Sequence, residues 1–388
     1  MPIDPLDCEP GAAAISPKRE LRLVLGGGLA LILAFACLFA LAARRTERRG
    51  TVAVVSRTDR EPSGRYAGSR VCAECHPGES AAYARSGHAR TLRTPAGHSV
   101  SRWLDGRKVL DPERPRVSWS YLLRDGALRV DRAEDGAVES FDVHYAVGSG
   151  HHATTLLSIT DPAVPTAFEH RLTHFTRDDM LHITPGQTAG NPSAGTTPYG
   201  RNLNAAETIK CFSCHTTITS ASGRDRLDLG EIIPNVSCER CHGPARNHVA
   251  DARAGRSKLS MPFGLDNWTA DSQMSLCGQC HRHPWKAPPG RITPEDPALA
   301  RFQPVGLMMS RCYQKSGGML SCVNCHDPHS RASSDRISYE PACLKCHQSA
   351  PQATCPKSPR SGCIDCHMPK VDSGQRILFS DHWIRVRG

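Results

Sequence analysis

The five-residue unit Cys-x-x-Cys-His occurs seven times: CAECH at 72–76, CFSCH at 211–215, CERCH at 238–242, CGQCH at 277–281, CVNCH at 322–326, CLKCH at 343–347 and CIDCH at 363–367, motifs 1 to 7 in chain order. In each, two thiols at this spacing can add to the two vinyl groups of one porphyrin, while the imidazole that follows turns inward to bind the iron. The thioether candidates are therefore Cys72, Cys75, Cys211, Cys214, Cys238, Cys241, Cys277, Cys280, Cys322, Cys325, Cys343, Cys346, Cys363 and Cys366. The proximal iron ligands are His76, His215, His242, His281, His326, His347 and His367. With 18 Cys and 19 His in 388 residues, chance placement would give, roughly, well under one such unit. Zinc has no need of His directly after the second Cys in every copy. Disulfides across so tight a spacing would close no useful loop. Seven covalently attached haems c are the expectation.

Twelve further histidines exceed the seven irons, so the pool can make every iron six-coordinate with two imidazoles, an arrangement suited to electron transfer. His88, His152, His248, His329 and His382 are the best-placed distal ligands; His174 and His182 are also candidates, and His170 a weaker one. His151 and His283 fit either a ligand or a hydrogen-bonding role, whereas His98 and His144 read as ordinary exposed or partly buried side chains. Sequence proximity does not say which iron a distal histidine serves. Methionine is the main rival ligand, but Met368 follows its own motif too closely to reach the opposite face of that iron. Cys312 and Cys355 lie near the last motifs, where a disulfide between them is one option.

Around these motifs the chain reads as a cytoplasmic tail (1–20), an apolar run long enough to span a bilayer (21–43), a polar tether (44–68) and a heptahaem domain (69–388) with an insert at about 100–200. The run is expected to anchor the protein in the bacterial inner membrane. The arginines after it favour a cytoplasmic body, but covalent haem attachment is completed outside, so the domain is expected in the periplasm. Partial alternation in 117–147, with turn signals at Asp125-Gly126 and Asp135-Gly136, predicts a small β insert. Elsewhere the expectation is a mainly α fold with much irregular structure. Aromatics make up only 5% of residues, so porphyrins are expected to supply the missing apolar bulk. The formal charge of +10 shrinks once each ferric haem c contributes about −1, and no helix or aromatic platform suited to nucleic acid is present.

GSGHH at 148–152, MLHITPGQ at 180–187 leading into CFSCHTT, CERCHGP followed by His248, LCGQCHR at 276–282, SRCYQKSGGMLSCVNCHDPH at 310–329 and CIDCHMP with the late His382 together resemble the multihaem cytochromes c related to the tetrahaem electron carriers of ammonia oxidisers and to hydroxylamine oxidoreductase. The likeness runs over roughly 66–386. It implies bis-histidine ligation, close parallel and perpendicular haem pairs, a mainly helical periplasmic fold, and distal roles for His88, His152, His248, His329 and His382. A crosslinking tyrosine of the hydroxylamine-oxidising type cannot be picked out, and no motif has Lys in place of His. No catalytic residue is assigned. The expected function is electron transfer from a membrane quinol oxidase or another cytochrome to a periplasmic redox partner. The alternative is an oxidoreductase acting on a small inorganic nitrogen or sulfur compound at one open haem.

Overall fold

Asp125-Gly126 and Asp135-Gly136 both adopt positive φ, the backbone of tight two-residue hairpin turns, and they fold the chain into an antiparallel meander. The computed structural model describes residues 64–220, 222–223, 225–261, 268–282, 296–348, 355–358, 361–373 and 376–387. The tail, the apolar run 21–43, most of the tether, and His283 lie outside the described residues. Among those described, no helix is long and apolar enough to cross a membrane.

Strands β1 (Leu92–Arg93), β2 (Lys108–Asp111), β3 (Arg114–Arg124), β4 (Ala127–Glu134), β5 (Ala137–Val143), β6 (Tyr145–Val147), β7 (Ala153–Asp161), β8 (Thr166–Phe175), β9 (Met180–Ile183), β10 (Thr196–Thr197) and β11 (Gly200–Leu203) build two antiparallel sheets. One has four strands in the order β2-β3-β4-β5; the other has seven, in the order β1-β6-β7-β8-β11-β10 with β9 also paired to β8. Two short hairpins follow, β12 (Thr216–Ile218) with β13 (Ile233–Pro234), and β14 (Lys370–Asp372) with β15 (Leu378–Ser380). About 34% of the described residues are helical and 26% lie in strands. This overturns the expectation of a mainly α protein with a small β insert around 117–147. The β structure reaches from Leu92 to Leu203.

The larger sheet escapes sequence reading because it is covered on both faces. Leu156, Leu172 and Ala146 face Val117, Trp119, Tyr121 and Val130 of the smaller sheet and Val100 and Leu104 of the helix Ser99–Leu104. On its other face Tyr145, Leu157, Ile159 and Ala167 pack on Phe212, inside motif 2. A strand buried on both sides loses its period-two pattern, and two register shifts between β7 and β8 blur it further. Gly148 is one glycine the turn into β7 requires: its φ is 130°, and a Cβ there would lie 2.2 Å from the Ala153 carbonyl oxygen.

The two sheets are locked by a buried ion pair. Arg171 of β8 donates to Asp111 of β2 at 3.1 Å, and its other nitrogens reach Glu113, at 2.7 Å, and the Gln187 carbonyl. Asp111 also accepts from the Trp119 indole at 3.2 Å. Next to this lock, His170 is buried between Phe141 and Phe168, with Nε2 2.8 Å from the Ser158 hydroxyl. Burial lowers its pKa to about 3 from 6.5. The unfolded chain therefore takes up a proton on falling below about pH 6.5 that the native fold refuses until about pH 3, so stability is full above that window and falls through it. Replacing His170 by glutamine is expected to reduce the slope of melting temperature against pH across this window. An unchanged acid limb would exclude His170 as its source.

After Ile232 neither of the two apolar clusters continues. Buried apolar side chains there, such as Ala245, Met274, Leu299, Leu307 and Ile364, are scattered among the motifs.

Candidate functional site

All seven motifs lie in helical turns, which puts the two cysteines three residues apart and the following histidine on one side of the chain. Motif 1 lies in Ser69–Cys75 with His76 as its C-cap, motif 2 ends Ala205–His215, motif 3 is Cys238–His242 and motif 4 ends Ala270–His281. Motif 5 begins with the 3₁₀ turn Cys322–Asn324, motif 6 ends Glu340–His347 and motif 7 is Cys363–His367. Caps fix several of these turns. Asn204 and Glu207 form a reciprocal capping box ahead of motif 2. The motif 7 turn is gripped at both ends: the Cys363 N–H donates to Glu340 at 2.9 Å, and Arg336 donates to the carbonyls of Ile364 and Met368 at 2.7 and 3.0 Å.

Four motif histidines each face a second imidazole. Ring centres are 6.4 Å apart for His76 and His248, 6.3 Å for His281 and His88, 6.1 Å for His242 and His329, and 6.2 Å for His326 and His382. A metal–nitrogen bond of about 2 Å, plus the ~1.1 Å from nitrogen to ring centre, places two trans imidazoles about 6.2 Å apart. All four pairs fit an iron between them. In each, the second histidine comes from another part of the chain: His248 follows motif 3 but faces motif 1, His88 follows motif 1 but faces motif 4, His329 faces motif 3, and His382 faces motif 5.

The supports are specific. Gly306 lets the C-terminal segment lie on the helix Gln303–Met309, since a Cβ there would meet the Trp383 nitrogen at 2.8 Å. Ser310 then accepts from Ile384 N–H at 2.8 Å, and the His382 ring donates from Nδ1 to the Ser380 carbonyl at 2.9 Å. His215 and His367 likewise donate from Nδ1 to the carbonyls of Thr91 and Arg385, at 3.0 and 2.9 Å, which leaves Nε2 free of a proton for metal. Burial lowers His88, His215, His242 and His326, and takes His281 and His382 to about 4, so these rings are held neutral.

The motifs abut one another. Cys72 lies against Cys238, and Cys277 against Cys322. Cys241 lies near Cys277, and Cys343 lies near both Cys325 and Cys363. Motifs 1, 3, 4, 5, 6 and 7 thus form a line. Motif 2 meets it at motif 4, where Cys214 Sγ lies 4.0 Å from the Gln279 carbonyl.

Other candidate ligands go elsewhere. His174 and His182 bond Asp179 and Asp178 at 2.8 and 2.7 Å beside the β8–β9 turn, and His170 lies in the β core; none of their rings faces a motif histidine. His144 accepts from the Ile159 N–H and His98 from the Val100 N–H, both local backbone roles. His152 packs on Phe379 at 5.5 Å, close to motif 7 but not across from a motif ring. Among the described residues no second imidazole faces His215 or His367. Cys312 and Cys355 are both free thiols, so the disulfide option is not taken up.

Sequence reading missed Glu239, inside motif 3, whose carboxylate is buried and accepts three backbone N–H groups. Its position between two cysteines carries no signal of that role. Arg282 and Arg301 also went unnoticed: Arg282 lies near Cys214 of motif 2, Arg301 lies near Arg282, and burial lowers both, Arg301 to about 10.

These turns and facing imidazoles are the residue pattern of a multihaem cytochrome c, one that binds haem c covalently, and two comparisons point the same way. The family described as "Cytochrome c554 and c-prime" matches residues 188–243, the stretch holding motifs 2 and 3. The chain is 21% identical over 421 aligned residues to the dissimilatory sulfite reductase MccA of Wolinella succinogenes, covering 88% of this chain but only 57% of that enzyme. It thus spans little more than half of that relative's length. The outer cell wall cytochrome OcwA superposes with a TM-score of 0.43 at 14% identity, covering 83% of this chain and 80% of that one, too distant to carry an argument.

Proposed function

We propose that the chain holds seven haems c and transfers single electrons along the line of motifs, from a quinol-oxidising membrane protein or another cytochrome to a second redox protein outside the cytoplasm. The four imidazole pairs at 6.1 to 6.4 Å carry this reading. Iron held between two imidazoles changes oxidation state without opening a coordination position. The protein's part is to fix rings such as His215, His367 and His382 in plane through their Nδ1 bonds and to keep neighbouring motifs in contact, so that spacing and potential are set by the fold. Intact mass should show seven haems. The protein reduced with dithionite and freed of excess reductant should deliver seven electrons to oxidised cytochrome c. A protein that keeps its electrons until sulfite, nitrite or hydroxylamine is added would contradict the carrier reading.

A second reading has one specific observation behind it. His215 is fixed by Thr91 and faces no other described imidazole, it stands off the line as a branch at motif 4, and Arg282 lies beside its motif with Arg301 near it. An open position there, flanked by guanidinium groups, would suit a small oxyanion. The sulfite-reducing relative belongs with this reading, as an oxidoreductase acting on a sulfur or nitrogen oxyanion. An absorbance shift of the ferric protein with sulfite, abolished in Arg282→Gln, would support it; no shift with sulfite or nitrite would rule it out.

A further inference from the structure

Glu239 occupies a variable position of motif 3, yet its partners belong to the other sites around it. Its side chain is 4% exposed. One oxygen, Oε1, accepts from the Ala67 and Ala245 N–H groups, each at 2.8 Å, and Oε2 accepts from Gly68 N–H at 2.9 Å. Gly68 is the N-cap of the helix Ser69–Cys75, and Ala245 that of the helix Arg246–Arg253; neither cap has a side-chain bond of its own. The first helix leads directly into His76, and the second carries His248. One carboxylate therefore caps both helices that bring the two facing imidazoles together. The Arg246 N–H bond to the Arg65 carbonyl, at 3.0 Å, ties the same two segments beside it. Glu239 also lies close to Cys72 and Cys238, which touch each other where motifs 1 and 3 meet.

We propose that Glu239 is a positioning residue for the His76–His248 iron site, and that its charge holds the haems of motifs 1 and 3 at the low-potential end of the line. Two physical effects combine. Cap bonds to a charged acceptor in a dry site are strong, so the carboxylate fixes the relative setting of the helices and hence the 24° angle between the two imidazole planes. A negative charge buried beside an iron centre favours its more positive oxidation state and so lowers the reduction potential. The inference rests on the reading that His76 and His248 share an iron.

The experiment uses the full chain, haem-loaded, with Glu239→Gln, Glu239→Asp and His248→Ala variants, followed by low-temperature EPR and an anaerobic optical redox titration. His248→Ala identifies the signal of the site: one low-spin signal disappears and a high-spin haem takes its place. If it does not, the underlying reading fails, whatever Glu239 does. Glutamine keeps the shape but offers one acceptor oxygen and no charge. Glu239→Gln should shift the largest g value of that same signal and raise the lowest midpoint potential, while Glu239→Asp, which keeps the charge, leaves the midpoint near that of the parent protein. A Glu239→Gln protein whose EPR envelope and titration both superimpose on the parent's overturns the proposal. Should Glu239→Gln load fewer haems, peptide mass mapping decides: loss confined to motifs 1 and 3 supports the proposal, and loss spread over all motifs overturns it.

Discussion

His329→Ala is expected to convert one haem equivalent from low-spin to high-spin and to create a cyanide-binding iron in its place. The His242 and His329 rings are 4° from parallel with centres 6.1 Å apart, the closest of the four facing pairs. His329 sits in the turn after motif 5, where its backbone N–H bonds Asp327 and its side chain is 42% exposed. Removing that imidazole takes little packing from the fold, so the change should fall on the iron alone. EPR spin integration with and without cyanide measures it. His174→Ala and His182→Ala serve as controls: both rings are turned to aspartates beside the β8–β9 turn, and neither change should alter the spectrum. A high-spin haem appearing in the controls and not in His329→Ala would reverse the ligand assignment.

Asp111→Ala should be among the most destabilising single changes in the β region. The Asp111 side chain is fully shielded, and it neutralises Arg171 while accepting from the Trp119 indole. Without Asp111 the buried Arg171 guanidinium keeps only the half-buried Glu113 as its counter-charge, and removing one partner of a buried ion pair costs up to about 3–5 kcal/mol. For a unit of this size that corresponds to a fall in melting temperature on the order of 10 °C, read from far-UV circular dichroism of the haem-loaded protein. Taking the charge away from both sides, in Asp111→Leu with Arg171→Met, should recover most of the loss. If the double variant is as unstable as the single one, the burial of an unpaired charge is not the cause.

What the sequence made legible follows from how local each feature is. The motifs are complete within five residues and need no fold to be recognised. His88, His248, His329 and His382 stood out as candidate ligands, yet the iron each one faces is set by long-range packing, such as the close approach of the C-terminal segment to Gly306, which leaves no trace in spacing. The larger sheet was hidden for a different reason. With β7 and β8 covered on both faces, threonine, leucine and histidine follow one another without alternation, and nothing in that run shows that His170, His174 and His182 lie in strands. The smaller sheet was partly legible because its Asp-Gly turns announce themselves. Glu239 could not be found at all, since its role lies in three N–H groups that are remote from it in sequence or lie beyond its own motif.

The most direct test is low-temperature EPR of the fully haem-loaded ferric protein, integrated for low-spin and high-spin iron and repeated with cyanide. The account predicts at least four low-spin haems with bis-imidazole g values that cyanide leaves unchanged, one for each facing pair. Fewer than four, or cyanide binding throughout, would mean that the paired imidazoles do not hold iron, and the electron-transfer line built on them would fall with them.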